Sequence, residues 1–441
     1  MKSLKLVNPA TGKQIKKLKI FTEKKICAKV RLAGKVQESW AGLPYRKRAY
    51  FLKKFNSLVK KEKKDITELI SLEMGKPLNE AMAEVERATE NTEWFIKNTG
   101  KELAPKKLGK NVMLLKEPAG VVGAITPWNL PFMIPLWIIP PALLTGNTIV
   151  FKPSELTPLT GIKISKLFDK AGLPKGCLNL LIGAENEGKR LVESDINIVA
   201  FVGSRKAGKN IMKNSAEKLH RLVLEMGGKD PLIVCSDADL KKAAKDAVKG
   251  ALSNCGQLCA SVERIYVEKK VYNSFVREVL SEAKKWNALG PLSNKNQLKI
   301  VEFHLKDAEK KGARILFGGK KIKGKGYYFE PTVIANVNHS MKIMNQETFG
   351  PVIAVMKVNG IKQAIKFSNS LSYGLCASVY SKNKSKTRKM ASQLQAGTIC
   401  INCTPKSRAE FPWGGRKQSG LGRMLSTQGI NEYLETKVIN D

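Results

Sequence analysis

Between Val121 and Cys235 short apolar runs alternate with amphipathic stretches. "VVGAI" (Val121 to Ile125), "TIVF" (Thr148 to Phe151), "LNLLI" (Leu178 to Ile182), "NIVAFV" (Asn197 to Val202) and "RLVLE" (ending at Glu225) read as buried strands. Between them lie helical patterns. One opens at "TPLTG", with Thr157 as a candidate N-cap and Pro158 at the first helical position. Ile164, Leu167, Phe168 and Ala171 mark its inward face, and Gly172 with Pro174 stop it. Others run from Glu187 to Glu193 and through "KAGKNIMKNSAEKL". Strands alternating with helices specify a parallel sheet covered on both faces, where ligands gather at the carboxyl ends of the strands.

A Gly-Gly turn at Gly227–Gly228 precedes a second α/β series: "PLIVC" (Pro231 to Cys235), a helix from Asp239 to Leu252, "RIYVE" (Arg264 to Glu268), and on past "ASVYS" to "GTICIN" near Asn402. The N-terminal segment up to about Gly100 reads as helices, with "YRKRAYFLKKFNSLVKKEKKDITELISLEMG" ended by Gly75 and Pro77. The length, 441 residues, suits two domains of ordinary size.

Pro118 to Phe151 carries no charged side chain and is long enough to span a bilayer. Its six prolines, with Asn129 and Asn147, argue instead for a buried strand, loop and helix, and against a membrane. The start, "MKSLKLVNPATGKQIKK", has no unbroken apolar core of a signal peptide, and eight cysteines follow no framework spacing. Reduced thiols and a cytoplasmic location are the expectation. A formal charge of +39 could advertise a nucleic-acid partner. The basic runs, such as Lys60 to Lys64 and Ser381 to Lys389, are dispersed and lack interleaved aromatics. A basic, non-catalytic nucleic-acid-binding protein is therefore kept as the rival class.

Candidate chemistry gathers after the strands. Asn129 follows the first, Lys152 and Glu155 the second, and Gly203 with Ser204 opens a helix. An ammonium, a carboxylate and a Gly-Ser helix start suit the hydroxyls and diphosphate of a nucleotide, although no G-x-G-x-x-G fingerprint is present. "SNCGQLCAS" places Cys255 and Cys259 around a glycine bend between helix and strand. Such a thiol is a candidate nucleophile. The alternatives are a small buried hydrophobe, or half of a zinc site with Cys400 and Cys403. His220, His304 and His339 sit in no recognisable catalytic context, and no metal is expected.

"PWNLP", "FKPSE", "FVGS", "LEMGGK", "GQLC", "QETFGP" and "PWGGRKQSGLGR", in this order, resemble the NAD(P)+-dependent aldehyde dehydrogenase superfamily. The similarity runs from "VNPATG" at Val7 to "GINEYLETK" near the C-terminus. "LEMGKP" and "GINEYLETK" look most like the succinate-semialdehyde dehydrogenase group. The resemblance implies an α/β fold in three parts. These are a Rossmann-like cofactor domain (1–101 and 119–224), an α/β catalytic domain (225–425) and a small β oligomerisation arm (102–118 and 426–441). It also implies a homodimer or homotetramer.

It further implies roles. Cys259 attacks the aldehyde as thiolate, Asn129 and the Cys259 N–H hold the oxyanion, and Glu225 activates water to release a carboxylic acid from the thioester. Trp128, Lys152, Glu155, Gly203, Ser204, Glu347 and Phe349 hold the cofactor. Glu155 favours NAD+, and the adjacent Lys152 keeps NADP+ open. The resemblance places Trp137 where bacterial succinate-semialdehyde dehydrogenases carry a substrate-clamping arginine. Phe132, Met133 and Trp137 then suggest a tunnel for uncharged aliphatic or aromatic aldehydes. Arg408 is a candidate clamp for succinate semialdehyde. Val202 stands where the family often has threonine. Cys255 is read as a filler or as a redox partner of Cys259.

Overall fold

A computed structural model describes residues 2–286 and 288–441. The first run of strands forms one sheet in the order Leu178–Leu180, Thr148–Lys152, Val121–Ile125, Ile198–Gly203, Arg221–Met226, all parallel. Gly420–Leu421 returns from far along the chain to close its edge, antiparallel to Arg221–Met226. The order reverses at Val121–Ile125. A crevice therefore opens beyond the carboxyl ends of this strand and of Ile198–Gly203, the place where doubly wound sheets bind ligands.

The second sheet runs Arg314–Phe317, Thr332–Ala335, Val352–Val358, Val262–Glu268, Asp230–Val234, Cys376–Tyr380, Thr398–Ile401. Only its outermost pair, Arg314–Phe317 with Thr332–Ala335, is antiparallel. The chain passes from one sheet to the other within residues 227–229. A third, antiparallel sheet joins Lys106–Gly109, Val112–Pro118 and Leu434–Asn440. Among the described residues no helix is long and apolar enough to cross a membrane. The uncharged stretch is instead mostly buried, folding as the strand Val121–Ile125, a loop in which Pro127, Trp128 and Leu130 are partly exposed, the helix Pro135–Leu144 and the strand Thr148–Lys152.

Three details depart from the sequence expectation. The first residues are not helical: Ser3–Val7 pairs with Gln14–Lys19 across a turn closed by Asn8 N–H to Lys13 O at 2.9 Å. The long helical pattern after Tyr45 is two helices, Tyr45–Lys61 and Lys63–Met74. They break at Glu62, whose carboxylate reaches out to Lys163 at 2.5 Å and Lys170 at 2.9 Å. The third departure concerns the cap of Pro158–Lys170. Thr157 occupies the N-cap position, but its hydroxyl makes no capping bond. Glu73, distant in sequence, does that work. Its carboxylate accepts from Leu159 N and Thr160 N, and from the Thr160 hydroxyl, each at 2.7 Å.

Glu73 is buried at 2% exposure, and burial pushes its carboxyl up to about 7 while the three donors pull it down. Glu73→Ala strands two helix N–H groups and a hydroxyl in the core. A loss of about 1–3 kcal/mol in urea unfolding is expected, and an unchanged midpoint would show that other groups satisfy this helix start.

Candidate active site

The loop carrying Cys259 is shaped by backbone geometry that few residues adopt. After the helix Leu240–Leu252, Asn254, Cys255 and Gly256 take φ of +52°, +56° and +71° in succession. A Cβ at Gly256 would stand 2.1 Å from the Gly350 carbonyl oxygen, so glycine alone fits against the "QETFGP" turn. The strain is held by specific bonds. Glu80 accepts from Asn254 N at 3.1 Å, Gln257 Nε2 donates to Asn254 O at 3.1 Å, and Ser293 N donates to Gln257 Oε1 at 2.8 Å.

This loop also fixes Asn129. Its side-chain amide donates to Gln257 O at 3.0 Å, and its carbonyl accepts from Asn254 Nδ2 at 3.1 Å and Lys76 Nζ at 3.0 Å. Lys76 in turn pairs with Glu84 at 2.5 Å, both buried, and Glu84 accepts from the N–H groups of Phe132 and Met133 at 2.8 and 3.1 Å. One buried ion pair thus pins the whole turn after the first strand.

Cys259 packs half-buried against the apolar cluster of the first sheet. Its thiol lies against the Glu225 carboxyl, which is 1% exposed at the end of Arg221–Met226. Burial pushes Glu225 up to about 7, against the pull of the thiol and of the Trp413 indole N–H, which donates to Oε1 at 3.4 Å. Burial and the neighbouring Glu225 together hold the Cys259 thiol well above its ordinary range. Cys255 belongs to a different cluster, beneath the second sheet, where burial raises its thiol as well. The two sulfurs pack into different cores.

Glu347 faces the same junction. It accepts from Gly228 N at 3.1 Å, and a Cβ on Gly227 would stand 2.2 Å from its carboxylate. Burial and the charge of Glu263 push Glu347 up to about 8. Phe349, at φ +51°, meets Trp128 edge to face with centroids 5.6 Å apart. This turn rests on a group that the motif reading passed over. Glu263 accepts from Thr348 N at 2.8 Å and Phe349 N at 3.0 Å while forming a buried ion pair with Lys229. The signal was faint, since Lys229 stood inside "LEMGGK" with nothing to show that its partner lay in the next strand.

The remaining candidates fall in three places. Lys152 ends its strand buried, with its ammonium on the carbonyls of Pro153 and Gly183, each 3.2 Å away, and 4.0 Å from the Glu155 carboxylate. Ser204 caps the helix Arg205–Ser215 by accepting from Ala207 N at 3.2 Å, leaving the first N–H groups that a helix cannot pair itself. Phe132 and Met133 are buried, and their N–H groups donate to Glu84 in the turn that follows Asn129. Trp137 is also buried and lies 6.1 Å from Trp413. Arg408 sits apart on an exposed loop, 3.5 Å from Glu410.

The residues present fit a dinucleotide. Helix N–H groups follow Gly203 for a diphosphate, Lys152 with Glu155 and then Glu347 offer partners for two riboses, and Trp128 with Phe349 form a flat apolar wall. The histidines stand elsewhere. His304 meets the Thr348 hydroxyl, His339 meets Tyr266, and His220 is buried without a partner among the described residues. Among the described residues no cluster of three or more His, Cys, Asp or Glu is arranged to hold a metal.

The aldehyde dehydrogenase family profile matches residues 1–439. The chain belongs to that family. It is therefore an oxidoreductase acting on aldehydes. A probable NADP+-dependent succinate-semialdehyde dehydrogenase of Sinorhizobium fredii is 34% identical over 98% of this chain and 91% of its own length. Lactaldehyde dehydrogenase of Escherichia coli is 36% identical over 98% and 94%. The crystal structure of the Escherichia coli enzyme superimposes with a TM-score of 0.96, at 34% identity over 100% of this chain and 95% of that one. The NAD+ complex of a Bacillus cereus aldehyde dehydrogenase does so at 0.96 and 35%, over 99% and 93%.

Removing the support of the 347–349 turn tests the ion pair beneath it. Glu263→Gln keeps the shape but leaves the Lys229 ammonium buried and uncompensated. A loss of about 3–5 kcal/mol is expected in chemical unfolding, and a change of only a few tenths would mean that Lys229 is neutral in the fold.

Proposed function

We propose that this aldehyde dehydrogenase family member oxidises an aldehyde to a carboxylic acid through a thioester on Cys259, with NAD+ or NADP+ as acceptor. The contact between the Cys259 thiol and the buried Glu225 carboxyl carries the reading. Ionised Glu225 accepts the thiol proton, and the thiolate attacks the carbonyl carbon. The Asn129 amide and the Cys259 N–H hold the oxygen as its charge develops. A bound NAD+ or NADP+ would supply the acceptor for the hydride that leaves this carbon. Glu225 must first release the thiol's proton to solvent; ionised again, it takes a proton from water as the water attacks the thioester, and Cys259 departs as thiolate with the acid as product.

Lys152, Glu155, Gly203 and Ser204 would hold the adenosine ribose and diphosphate, and Glu347 the second ribose beside Trp128 and Phe349. NAD+ is favoured by the Glu155 carboxylate, which disfavours a 2′-phosphate. The complex of the Bacillus cereus relative contains NAD+, and the Sinorhizobium fredii relative carries NADP+ in its name. For the aldehyde, Trp137 beside Trp413 supports an uncharged substrate, because Arg408 is already paired with Glu410. Succinate semialdehyde is the second reading, supported by the Sinorhizobium fredii relative.

The division into a cofactor part (1–101 and 119–224), a catalytic part (225–425) and an arm (102–118 and 426–441) belongs to the same reading. Leu108, Val438 and Ile439, exposed on the third sheet, support subunit pairing into a dimer or tetramer. A reducing, cytoplasmic setting suits an enzyme that needs a free thiol.

Cys259→Ala is expected to abolish NADH formation while calorimetry still detects NAD+ binding; undiminished turnover would remove the nucleophile. Glu225 must be ionised to act, so thioester hydrolysis should rise with pH through about 7. Glu225→Gln should slow that step about 10²–10⁴-fold and erase the limb. NADH and NADPH formation across aliphatic, aromatic and lactaldehyde substrates and succinate semialdehyde decides the substrate class, and strong preference for the charged aldehyde would overturn the uncharged reading.

A further inference from the structure

Glu225 has two kinds of neighbour. One is the reacting thiol of Cys259; the other is the indole of Trp413, which takes no part in the chemistry. The indole N–H donates to Oε1 at 3.4 Å, whereas Oε2 is buried with no hydrogen-bond partner among the described residues. The donor is itself rigid. Trp413 and Met424 exchange both backbone hydrogen bonds, at 2.6 and 2.7 Å, and the Trp413 ring packs at 60° to that of Trp137. The segment between them lies along the strand that bears the carboxylate, with Gly420 in register with Glu225 and Leu421 with Leu224. A loop 188 residues further along the chain therefore grips this glutamate by its backbone and by its side chain.

We infer that Trp413 is a positioning residue for the reaction, fixing Oε1 of Glu225 so that Oε2 is left free to receive a proton from the Cys259 thiol and, once that proton has been released to solvent, one from water. The inference rests on the proposed base role of Glu225. Without the indole the buried carboxylate keeps only the Cys259 thiol, itself a reactant, as a neutral donor, and it would both turn and hold its proton more tightly. The other titratable groups acting there, Cys259, Glu347 and Cys376, are acids whose charges would each add to that tendency. A phenyl ring could fill the same space against Trp137 but could not donate. The N–H, not the bulk, is the working part.

The test uses the full-length apoenzyme first. The pH dependence of Cys259 alkylation by iodoacetamide contains an inflection from Glu225, which Glu225→Gln should erase. In Trp413→Phe that inflection should move up by about one unit, and rapid-quench measurements of thioester decay should slow about fivefold at pH 7 and recover at pH 9. Trp413→His, which restores an N–H, should return both readings most of the way, and it carries the test if Trp413→Phe does not fold. An inflection unmoved in Trp413→Phe, or a raised KM with unchanged decay, would overturn the inference and make the indole a pocket wall. Should Glu225→Gln itself leave both profiles intact, the base role fails instead. The two failures are thus distinguishable.

Discussion

A lysine ammonium without solvent must be balanced within the fold, and the charge on Lys229 is balanced at the point where the two large sheets meet. Glu263 pairs with it, Thr348 offers it a hydroxyl at 3.1 Å, and its backbone carbonyl accepts from Arg264 Nε at 2.7 Å. The same Glu263 carboxylate holds the Thr348 and Phe349 N–H groups. One charge thus ties together the crossing at 227–229, the strand Val262–Glu268 and the turn of Glu347. Because a broken buried pair costs far more than an intact one contributes, its members can change only together. What it secures is geometry: Glu225 ends one sheet, Cys259 precedes a strand of the other, and the distance between them is set by the crossing.

Around this anchor the site is built by pinning strained loops with buried carboxylates. Glu80 and Glu84 hold the turns of Asn254 and Asn129, Glu73 caps a helix start, and Glu263 holds the 347–349 turn. Acidic residues are the minority in this chain, 38 against 77 basic ones, and several of them are spent inside. The interior takes basic side chains too, Arg48, Lys76, Lys152, Lys229 and Arg264 beside Glu73, Glu84, Glu225, Asp230 and Glu263, so the buried charges balance and the basic excess lies outside them.

Much of the architecture was legible because it depends on local pattern. The strand runs of the first sheet carry their own period and length, so residues that follow them, such as Asn129, Lys152 and Gly203, could be placed at strand ends before any coordinates. The N-terminal hairpin was missed because its lysine-rich strands show little apolar alternation, and the break at Glu62 because its cause is Lys163, a hundred residues away. For the same reason Thr157 looked like a cap while Glu73 performs the task. In the site, "LEMGGK" marked Glu225, whereas Trp413 lay inside "PWGGRKQSGLGR" without being singled out. Nothing short of the folded chain says that an indole in the second reaches a carboxylate in the first.

The return of Gly420–Leu421 to the edge of the first sheet has a consequence for how the molecule comes into being. During synthesis the strands from Val121 to Met226 emerge early and in order, with mostly short connections, and can pair as they appear. The edge beside Glu225 stays unfilled until the last residues of the catalytic part have left the ribosome. Until then the carboxylate has neither its indole nor its covering strand. A nascent chain, or one cut before Trp413, therefore carries Cys259 and Glu225 without the indole and edge strand that hold this carboxylate in the finished fold.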